Sequence, residues 1–355
     1  MKTRGAHLPI RAANRLTVGV VGATGYTGQE LIRILSRHPR LRIALVTSNR
    51  LAGKKLSDCI PSLSGLCDLT LSSPDEARRG RVDVLFLGLG HGEAVEFLKG
   101  YPYLSSTRVI DLSADFRFRD PDLYRKTYGG TVPGSLNGKF VYGLTEVFRK
   151  AIRRARYVAN PGCYVTSVLL PLYPILSRKA VSVSGPIIVT SASGVSGAGV
   201  TPKAETQFCE VDEDYSAYKP LREHRHLPEM EEVLSPFGVR ILFTPHLLPI
   251  RNGILSDIVF RISNPSADVV DRIYRAWNRF YRGSVFVHPV RHLVHVSEVR
   301  GTNDARFTAR YDPLTRTVLI LSAIDNLIKG ASGQAVQNLN VMMGWPEHLG
   351  WANRS

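Results

Sequence analysis

A cysteine at the start of an apolar run is the residue of this sequence best placed to act as a nucleophile. Cys163 follows Asn160-Pro161-Gly162 and precedes the apolar run 168–172, in which a helix can begin. The unpaired backbone N–H groups and the dipole of a helix N-terminus favour the thiolate over the thiol. Because a free thiol with a pKa of about 8.5 is only slightly ionised at neutral pH, this position predicts a larger thiolate fraction. The alternative is that Cys163 is one more buried apolar side chain.

A second segment carries several acid–base groups close together. His224 and His226 flank Arg225, and Glu229 follows shortly after them. Histidine titrates near neutral pH without help, so the pair is a candidate for acid–base catalysis. A His-x-His pair with a nearby glutamate also resembles a zinc ligand set, but no further ligand cluster supports a metal. Surface histidines without a catalytic role are the remaining alternative.

The N-terminal half predicts a dinucleotide-binding scaffold for these groups. The apolar, β-branched run 16–21 has the character of a buried parallel strand, and residues 29–35 have helical spacing. Between them lies a glycine turn spaced GxxGxxG rather than GxGxxG. The order of strand, glycine turn and helix lets backbone N–H groups meet a pyrophosphate. The predicted cofactor contacts in this turn are Gly22, Thr24, Gly25, Tyr26, Thr27 and Gly28.

The end of the next predicted strand, 41–47, indicates which dinucleotide binds. A site specific for NAD carries Asp or Glu here to bind the ribose 2′-hydroxyl, and this chain has neither. Ser48 and Arg50 offer a hydroxyl and a positive charge instead, which suits the 2′-phosphate of NADP. A solvated basic loop is the alternative. Further buried strands are predicted at 82–87 and 109–112, with their following loops in the same crevice.

The second half predicts a different kind of sheet. Its alternating segments at 239–244, 254–262, 285–287 and 317–322 are typical of a mostly antiparallel sheet, with a helix across it at 269–281. A strand at 186–190 leads into the small-residue loop 193–199. There Gly194 and Gly197 would let the backbone approach a flat ring or a carbonyl oxygen, unless the loop is only a flexible linker. A terminal helix is predicted around 335–340.

Composition limits the classes of protein that fit. With 355 residues the chain is long enough for two domains. Four cysteines without a CxxC pair argue against a disulfide framework and a zinc ribbon, and fit the cytoplasm. No apolar stretch approaches the roughly 20 residues of a membrane span. The net charge of +16 is spread along the chain, which argues against nucleic acid and fits an anionic small molecule or an acidic protein partner.

Six motifs in one order identify a family resemblance: GATGYTG, SADFR, NPGCY, SGVSGAG, HRHLPE and DNLIKGASGQAVQNLN. From about Leu16 to Leu349 the chain resembles the N-acetyl-gamma-glutamyl-phosphate reductases of arginine biosynthesis, relatives of aspartate-semialdehyde dehydrogenase. The resemblance implies an α/β fold with a Rossmann-type NADP-binding domain at 15–162, completed by a C-terminal helix within 325–349. It implies an α+β catalytic and dimerisation domain with a mostly antiparallel sheet at 163–324. Residues 1–14 are expected to form a loose N-terminal extension.

The resemblance also implies residue roles. The reaction would be the NADPH-dependent reductive dephosphorylation of an acyl phosphate to a semialdehyde, with Cys163 as the nucleophile and no metal. His224 would be the acid–base group, with His226 and Glu229 in supporting roles in the catalytic set, although the sequence leaves open which histidine transfers the proton. The glycine loop with Gly194 and Gly197 would hold the nicotinamide or the carbonyl oxygen. Further expected contacts are Asn326 to the cofactor and Arg117, Asn160 and Lys219 to the anionic substrate.

Two other functions stay open at this point. A sister enzyme reduces an acyl phosphate carried on a small acidic amino-group carrier protein, and the basic charge of this chain would suit that partner. The NPGC and SGVSG motifs favour the free acetylated substrate instead. A non-catalytic, NADP-binding redox regulator would need neither Cys163 nor His224. We expect a homo-oligomer, either a dimer or a tetramer.

Overall fold

The computed structural model describes residues 15–351, and the predicted N-terminal extension 1–14 lies outside them. Two β-sheets organise the described chain, one of six strands and one of seven. Among residues 15–351, no helix is both long and apolar enough to cross a membrane.

The first sheet is parallel throughout, in the order β2-β1-β3-β4-β6-β5. All four residues of β3 are buried, as expected for a strand covered by helices on both faces. The carboxyl ends of β1 and β3 lie side by side, where an open α/β sheet binds its ligands. The strands are β1 (Leu16–Val21), β2 (Leu41–Val46), β3 (Val84–Leu87), β4 (Arg108–Asp111), β5 (Val141–Tyr142) and β6 (Tyr157–Ala159).

The second sheet is mixed, in the order β11-β12-β13-β10-β7-β9-β8, with parallel pairing only at β11–β12 and β7–β9. Strand β10 buries every second residue, so one face packs on the core. The strand predicted at 285–287 lies slightly later, at β11. The strands are β7 (Val183–Gly194), β8 (Ser216–Ala217), β9 (Ile241–Leu248), β10 (Ile254–Ile262), β11 (Val287–Pro289), β12 (Ala305–Asp312) and β13 (Thr317–Ile324).

Eleven α-helices are assigned in the described chain, and a π-helical turn, Ile328–Ser332, precedes the last of them. They are α1 (Tyr26–Ser36), α2 (Leu56–Cys59), α3 (Pro74–Ala77), α4 (Glu93–Lys99), α5 (Pro121–Tyr128), α6 (Thr145–Ile152), α7 (Cys163–Ser177), α8 (Phe208–Val211), α9 (His226–Leu234), α10 (Val269–Phe280) and α11 (Gly333–Met342).

Helix α7 is the buried axis of the second half. It contains Pro174, which has no N–H to donate to the carbonyl of Leu170. The hydroxyl of Tyr281 donates to that carbonyl instead, and the indole N–H of Trp277 donates to the carbonyl of Pro171 at 2.8 Å. Trp277 of α10 and Tyr281, the residue after α10, thereby bond two carbonyls of α7 and help to fix the helix that begins at Cys163.

The terminal helix α11 packs against the first sheet although it comes last in the chain. Ala335, Val336 and Leu339 share one apolar core with Val18 and Val20 of β1. The π-helical turn, which leads directly into α11, lies beside both the glycine turn and Cys163.

Candidate active site

Residues 160–163, which join β6 to α7 and carry the predicted nucleophile, are here called the nucleophile loop. Gly162 is the N-cap of α7 with φ −66° and ψ 150°, and no side chain caps this helix. The N–H of Asn160 donates to the carbonyl of Asp111 at 2.7 Å, which ties the loop to the end of β4. On the other side lies Gly330, where an added methyl group would lie 2.7 Å from Cβ of Cys163. Cys163 therefore occupies the predicted helix start, but it is packed against the π-helical turn.

Burial decides the ionisation of this cysteine. Loss of water raises the pKa of the Cys163 thiol to about 11, although the backbone N–H of Tyr164 and the charge of Arg117 lower it. The expected gain in thiolate from the helix N-terminus is therefore wrong for the site as the structure shows it. The physical reason is that desolvation of the sulfur outweighs the field of the helix end.

A cavity of about 580 Å³ opens at Cys163 and gathers predicted residues from distant parts of the sequence. It lies between the ends of the two sheets, next to the loop that follows β7. The predicted site residues that line it are Cys163, Arg117, Gly197, Lys219, His224 and His226.

The two histidines are held in different ways. Nδ1 of His224 accepts the backbone N–H of His226 at 3.1 Å. The ring of His226 packs on the nucleophile loop, since a methyl group on Gly162 would lie 2.5 Å from its Nε2. Burial lowers the pKa of His224 to about 2 and that of His226 to about 3. Both rings are therefore neutral at pH 7, and His224 carries its proton on Nε2.

Glu229 lies beneath the nucleophile loop and is almost fully buried. Its Oε1 accepts the hydroxyl of Tyr142 at 2.6 Å and the N–H of Gly162 at 3.0 Å, and its Oε2 pairs with Nη1 of Arg117 at 3.2 Å. The carboxylate is not among the residues that line the cavity. The sequence grouped Glu229 with the catalytic residues, whereas its contacts are those of a positioning residue.

The three predicted substrate contacts occupy unlike positions. Arg117 lines the cavity while its Nη2 donates to the carbonyl of Leu112 at 3.0 Å. Lys219 is exposed at the cavity with a left-handed φ of 43°. Asn160 instead donates to the carbonyl of Ala331 at 3.0 Å and accepts from Asn338 at 3.1 Å. Its amide is committed to holding the loop and does not line the cavity.

The glycine turn requires glycine for packing at two positions. Gly22 has φ +87°, and a methyl group there would lie 2.2 Å from the carbonyl oxygen of Gly88. A methyl group on Gly28 would lie 2.3 Å from the carbonyl oxygen of Gly22. Gly25 is the N-cap of α1, and no side chain caps this helix. The N–H groups at the start of α1 therefore suit an anionic ligand such as a pyrophosphate.

The other predicted cofactor residues surround this turn. The Ser48 hydroxyl lies 3.1 Å from that of Thr24, so the end of β2 meets the glycine turn. Arg50 is exposed and forms no ion pair with a described residue. The Thr27 carbonyl accepts the hydroxyl of Ser332 at 2.8 Å. Tyr26 lines a separate cavity of about 510 Å³ together with the loop after β7.

The loop after β7 is fixed by internal contacts. A methyl group on Gly194 would lie 2.6 Å from the carbonyl oxygen of Arg251, so these two segments of the backbone are in contact. Asn326 accepts the N–H of Gly253 at 2.7 Å and donates to the hydroxyl of Ser196 at 2.9 Å. Asn326 is buried, and these contacts make it a brace for the loop rather than an open cofactor contact.

The sequence analysis assigned no role to several polar residues that line this cavity, among them His91, Tyr128 and Arg225. Arg225 lies inside the histidine motif, which was its only signal in the sequence. Nothing local marks Tyr128, which reaches the cavity from the end of α5. Among residues 15–351, no group of three or more His, Cys, Asp or Glu side chains is arranged to hold a metal ion.

Comparisons with known proteins agree with this arrangement. Residues 17–155 match the family model of the semialdehyde dehydrogenase NAD-binding domain, and residues 163–326 match that of the semialdehyde dehydrogenase dimerisation domain. The N-acetyl-gamma-glutamyl-phosphate reductase of Geobacter sulfurreducens is 45% identical over 341 residues, which cover 94% of this chain and 97% of the relative. That of Dehalococcoides mccartyi is 44% identical over 340 residues, or 94% and 96% of the two chains.

Solved structures show the same fold at low sequence identity. Aspartate semialdehyde dehydrogenase II of Vibrio cholerae, complexed with ASA, superposes with a TM-score of 0.70 at 17% identity and covers 94% of this chain and 99% of its own. The aspartate semialdehyde dehydrogenase of Candida albicans with NADP gives 0.67 at 18% identity, covering 93% and 98%. The predicted α/β class with two different sheets is confirmed.

Proposed function

The chain belongs to the N-acetyl-gamma-glutamyl-phosphate reductase family, and on this premise we propose that it reduces N-acetylglutamyl 5-phosphate to N-acetylglutamate 5-semialdehyde with NADPH. Phosphate is the second product, and the step belongs to arginine biosynthesis. The observation that carries the proposal is the single cavity that joins Cys163, His224 and Arg117. A nucleophile, a neutral imidazole and a buried cation are the groups that acyl transfer from an acyl phosphate needs.

Cys163 forms the covalent intermediate. Its sulfur attacks the acyl carbon, the bond from carbon to the phosphate oxygen breaks, and phosphate leaves with the electron pair, so a thioester remains. Because burial raises the pKa of the thiol, its proton must be removed as the sulfur attacks, and the departing phosphate takes it up to leave as hydrogen phosphate. Arg117 favours the thiolate and also suits the phosphate, since its charge lies close enough to lower the pKa of Cys163.

His224 manages charge on the carbonyl oxygen. Its Nδ1 already accepts a backbone N–H, so Nε2 is the nitrogen available to a ligand, and it carries the proton. An N–H at this position stabilises the oxyanion that forms when the thioester is reduced. Collapse of that oxyanion releases the aldehyde and the thiolate of Cys163, which takes up one proton from solvent to restore the thiol.

The cofactor site fits NADPH. When bound, NADPH supplies the hydride that reduces the thioester. The uncapped start of α1 suits the pyrophosphate, and Ser48 with the exposed Arg50 suits a 2′-phosphate. A basic group in place of an acidic one after β2 is what supports NADP over NAD.

The free acetylated substrate is favoured over a carrier-linked one. The names of the relatives specify the acetylated compound, and the cavity has the volume of a small-molecule site. The experiment is reduction of NADP by the purified protein with N-acetylglutamate 5-semialdehyde and phosphate, compared with a carrier-linked semialdehyde. Phosphate-dependent turnover of the free compound supports the proposal. Turnover of the carrier-linked compound alone would overturn it.

A homo-oligomer is also proposed. Residues 163–326 match a dimerisation domain, and the outer face of the second sheet presents two apolar neighbours, Ile188 of β7 and Leu242 of β9. These side chains are 49% and 42% exposed, respectively, so a second copy would remove them from water. Light scattering on the purified protein tests this, and a monomer at micromolar concentration would contradict it.

A further inference from the structure

We propose that Arg225 binds the carboxylate at the end of the substrate remote from the reacting carbonyl. The ring of Tyr128 supports the guanidinium of Arg225 in this role. The inference rests on the proposed function, whose substrate carries a carboxylate in addition to the acyl phosphate. It assigns a specificity-determining role to a residue between the two histidines of the cavity.

Arg225 is an available cation in this cavity, whereas Arg117 is already engaged. Arg117 is nine-tenths buried and paired with Glu229. Arg225 is exposed at the cavity, and no carboxylate of residues 15–351 forms an ion pair with it. A free guanidinium beside a substrate cavity can bind a carboxylate through two parallel N–H groups.

The ring of Tyr128 gives Arg225 a fixed orientation. The guanidinium carbon of Arg225 lies 5.3 Å from the ring centroid of Tyr128, within the range of a cation–π contact. Such a contact uses the flat face of the guanidinium, so its N–H edges stay available to a ligand. The entropy lost on binding is correspondingly smaller than for an unsupported side chain.

Tyr128 is itself held by His91. Nε2 of His91 lies 2.9 Å from the carbonyl oxygen of Tyr128, and Nδ1 lies 2.9 Å from Oδ1 of Asp115. His91 thereby links the backbone of Tyr128 to the carboxylate of Asp115. Asp115 is buried and also accepts the N–H of Gly92 at 2.8 Å and the hydroxyl of Tyr124 at 3.1 Å. Tyr128 is thus connected through His91 to the loop that follows β3.

The charges of the cavity are divided between its two ends. The charge of Arg117 lowers the pKa of the Cys163 thiol, whereas the charges of Lys219 and Arg225 lower that of His224. Arg117 therefore lies toward Cys163, and Arg225 lies toward His224. A substrate with two anionic ends can therefore meet one arginine at each.

Two exposed lysines, Lys203 and Lys219, also line the cavity. The competing candidate for the carboxylate is Lys219, whose charge acts on His224, but it extends on a flexible four-carbon stem, and no ring holds it among the described contacts. An ammonium also lacks the two-pronged geometry that matches a carboxylate. The structure therefore favours Arg225, and the experiment includes both residues.

The test compares two aldehydes that differ only in the carboxylate. N-Acetylglutamate 5-semialdehyde has it and 4-acetamidobutanal does not, and both are assayed by phosphate-dependent reduction of NADP. We expect kcat/KM of the unmodified protein to favour the carboxylated aldehyde by about 10- to 100-fold, the size of one charge-assisted contact. Arg225→Met should remove this preference by lowering kcat/KM mainly for the carboxylated aldehyde. Arg225→Lys should keep part of it.

The role of Tyr128 and the control variants are tested in the same assay. Tyr128→Leu should reduce the preference severalfold, and Tyr128→Phe, which keeps the ring, should retain it. Arg222→Met is the matched control, because Arg222 is exposed and paired with Glu231 at 3.0 Å. Equal loss with both aldehydes in Arg225→Met, or loss of the preference in Lys219→Met instead, would overturn the inference. Failure of the unmodified protein to use either aldehyde would overturn the proposed function itself.

Discussion

Two helix starts in this molecule share one backbone design and serve different chemistry. Helix α1 follows β1 with Gly25 as N-cap at φ −70° and ψ 158°, and α7 follows β6 with Gly162 as N-cap at φ −66° and ψ 150°. Neither helix has a side-chain cap. Locally the two segments are nearly the same strand–glycine–helix unit.

The difference between them lies in what covers each turn. At α1 the glycines pack on backbone and leave the helix N–H groups for a ligand. At α7 the buried carboxylate of Glu229 takes the N–H of Gly162, and the ring of His226 and the π-helical turn close over the loop. The comparison shows that a helix N-terminus alone does not activate a cysteine. At the start of α7, desolvation of the Cys163 sulfur outweighs the helix N-terminus, so the pKa of the thiol is raised instead of lowered.

Replacing the nucleophile should separate the two turns most strongly. Cys163→Ala should lower turnover by at least about 10⁴-fold, because no other group can form the thioester. NADPH binding at the α1 turn should be nearly unchanged, as measured by fluorescence titration. The exposed Cys209 provides the matched control, since Cys209→Ala should keep full activity. Substantial turnover by the Cys163 variant would show that the wrong residue has been assigned.

Substitutions at His224 test whether its ring donates or accepts a proton during the reaction at Cys163. His224→Asn should lower kcat by about 10²- to 10⁴-fold, the usual loss for a group that manages a proton or an oxyanion. His224→Gln keeps an N–H donor on a longer side chain and should recover part of that loss if Nε2 acts as a donor. Equal loss in both variants would instead indicate that the ring accepts a proton. His226→Asn, assayed beside them, shows which histidine the reaction depends on more.

Charge reversal at Arg50 tests how the site near the start of α1 selects its cofactor. Arg50→Asp should weaken NADPH binding by about 10- to 100-fold and leave NADH binding little changed, because one charge-assisted contact is lost. Turnover with saturating NADPH should stay close to normal. Arg37→Asp at the far end of the same helix is the control. If the unmodified protein uses NADH and NADPH equally well, the basic residues after β2 do not select the cofactor.

Burial also shifts the pKa of His38, which follows the C-terminal end of α1. Protonation of this histidine should affect the stability of the protein rather than its activity, and the effect should be smaller than those above. Loss of water lowers the pKa of His38 to about 4, although its hydrogen bond to Asn340 opposes this. Between pH 6.5 and 4 the unfolded chain therefore binds a proton that the folded chain excludes, so stability falls as the pH falls through this window. One such group contributes at most about 1.4 kcal/mol per pH unit.

The measurement is urea unfolding at several pH values for the unmodified protein and for His38→Gln. Glutamine keeps an N–H donor toward Asn340 but does not titrate, so its stability should fall less steeply below pH 6.5. His224 and His226 add slopes of the same sign on the other side of the molecule. Parallel curves for the two proteins would contradict the buried, neutral state of His38.

Much of the fold could be predicted because its signals are local. The buried apolar runs of β1, β2, β3 and β4, the glycine turn and the helix start at Cys163 are all visible within short windows of sequence. The family assignment from six motifs is confirmed by relatives at 45% and 44% identity. The short strands β5 and β6 have two and three residues, too few to form a periodic pattern.

The supporting residues of the site could not be predicted in the same way. Asn160, Asn326 and Glu229 are polar residues near motifs, and their types alone fit substrate or cofactor contacts equally well. Their roles depend on partners far along the chain: Glu229 binds Gly162 across 67 residues and Arg117 across 112. A buried amide or carboxylate is fixed by whichever donors the fold brings to it.

The sequence by itself determined the order of strand, glycine turn and helix, the position of Cys163 at a helix start and the basic group in place of an acidic one after β2. Each of these follows from the stereochemistry and charge of neighbouring residues. Only the tertiary structure decided that the thiol is protonated, that both histidines are neutral, that Glu229 supports the loop and that Arg225 rests on Tyr128. Those properties depend on desolvation and on contacts between distant segments, and both exist only once the two sheets have packed together.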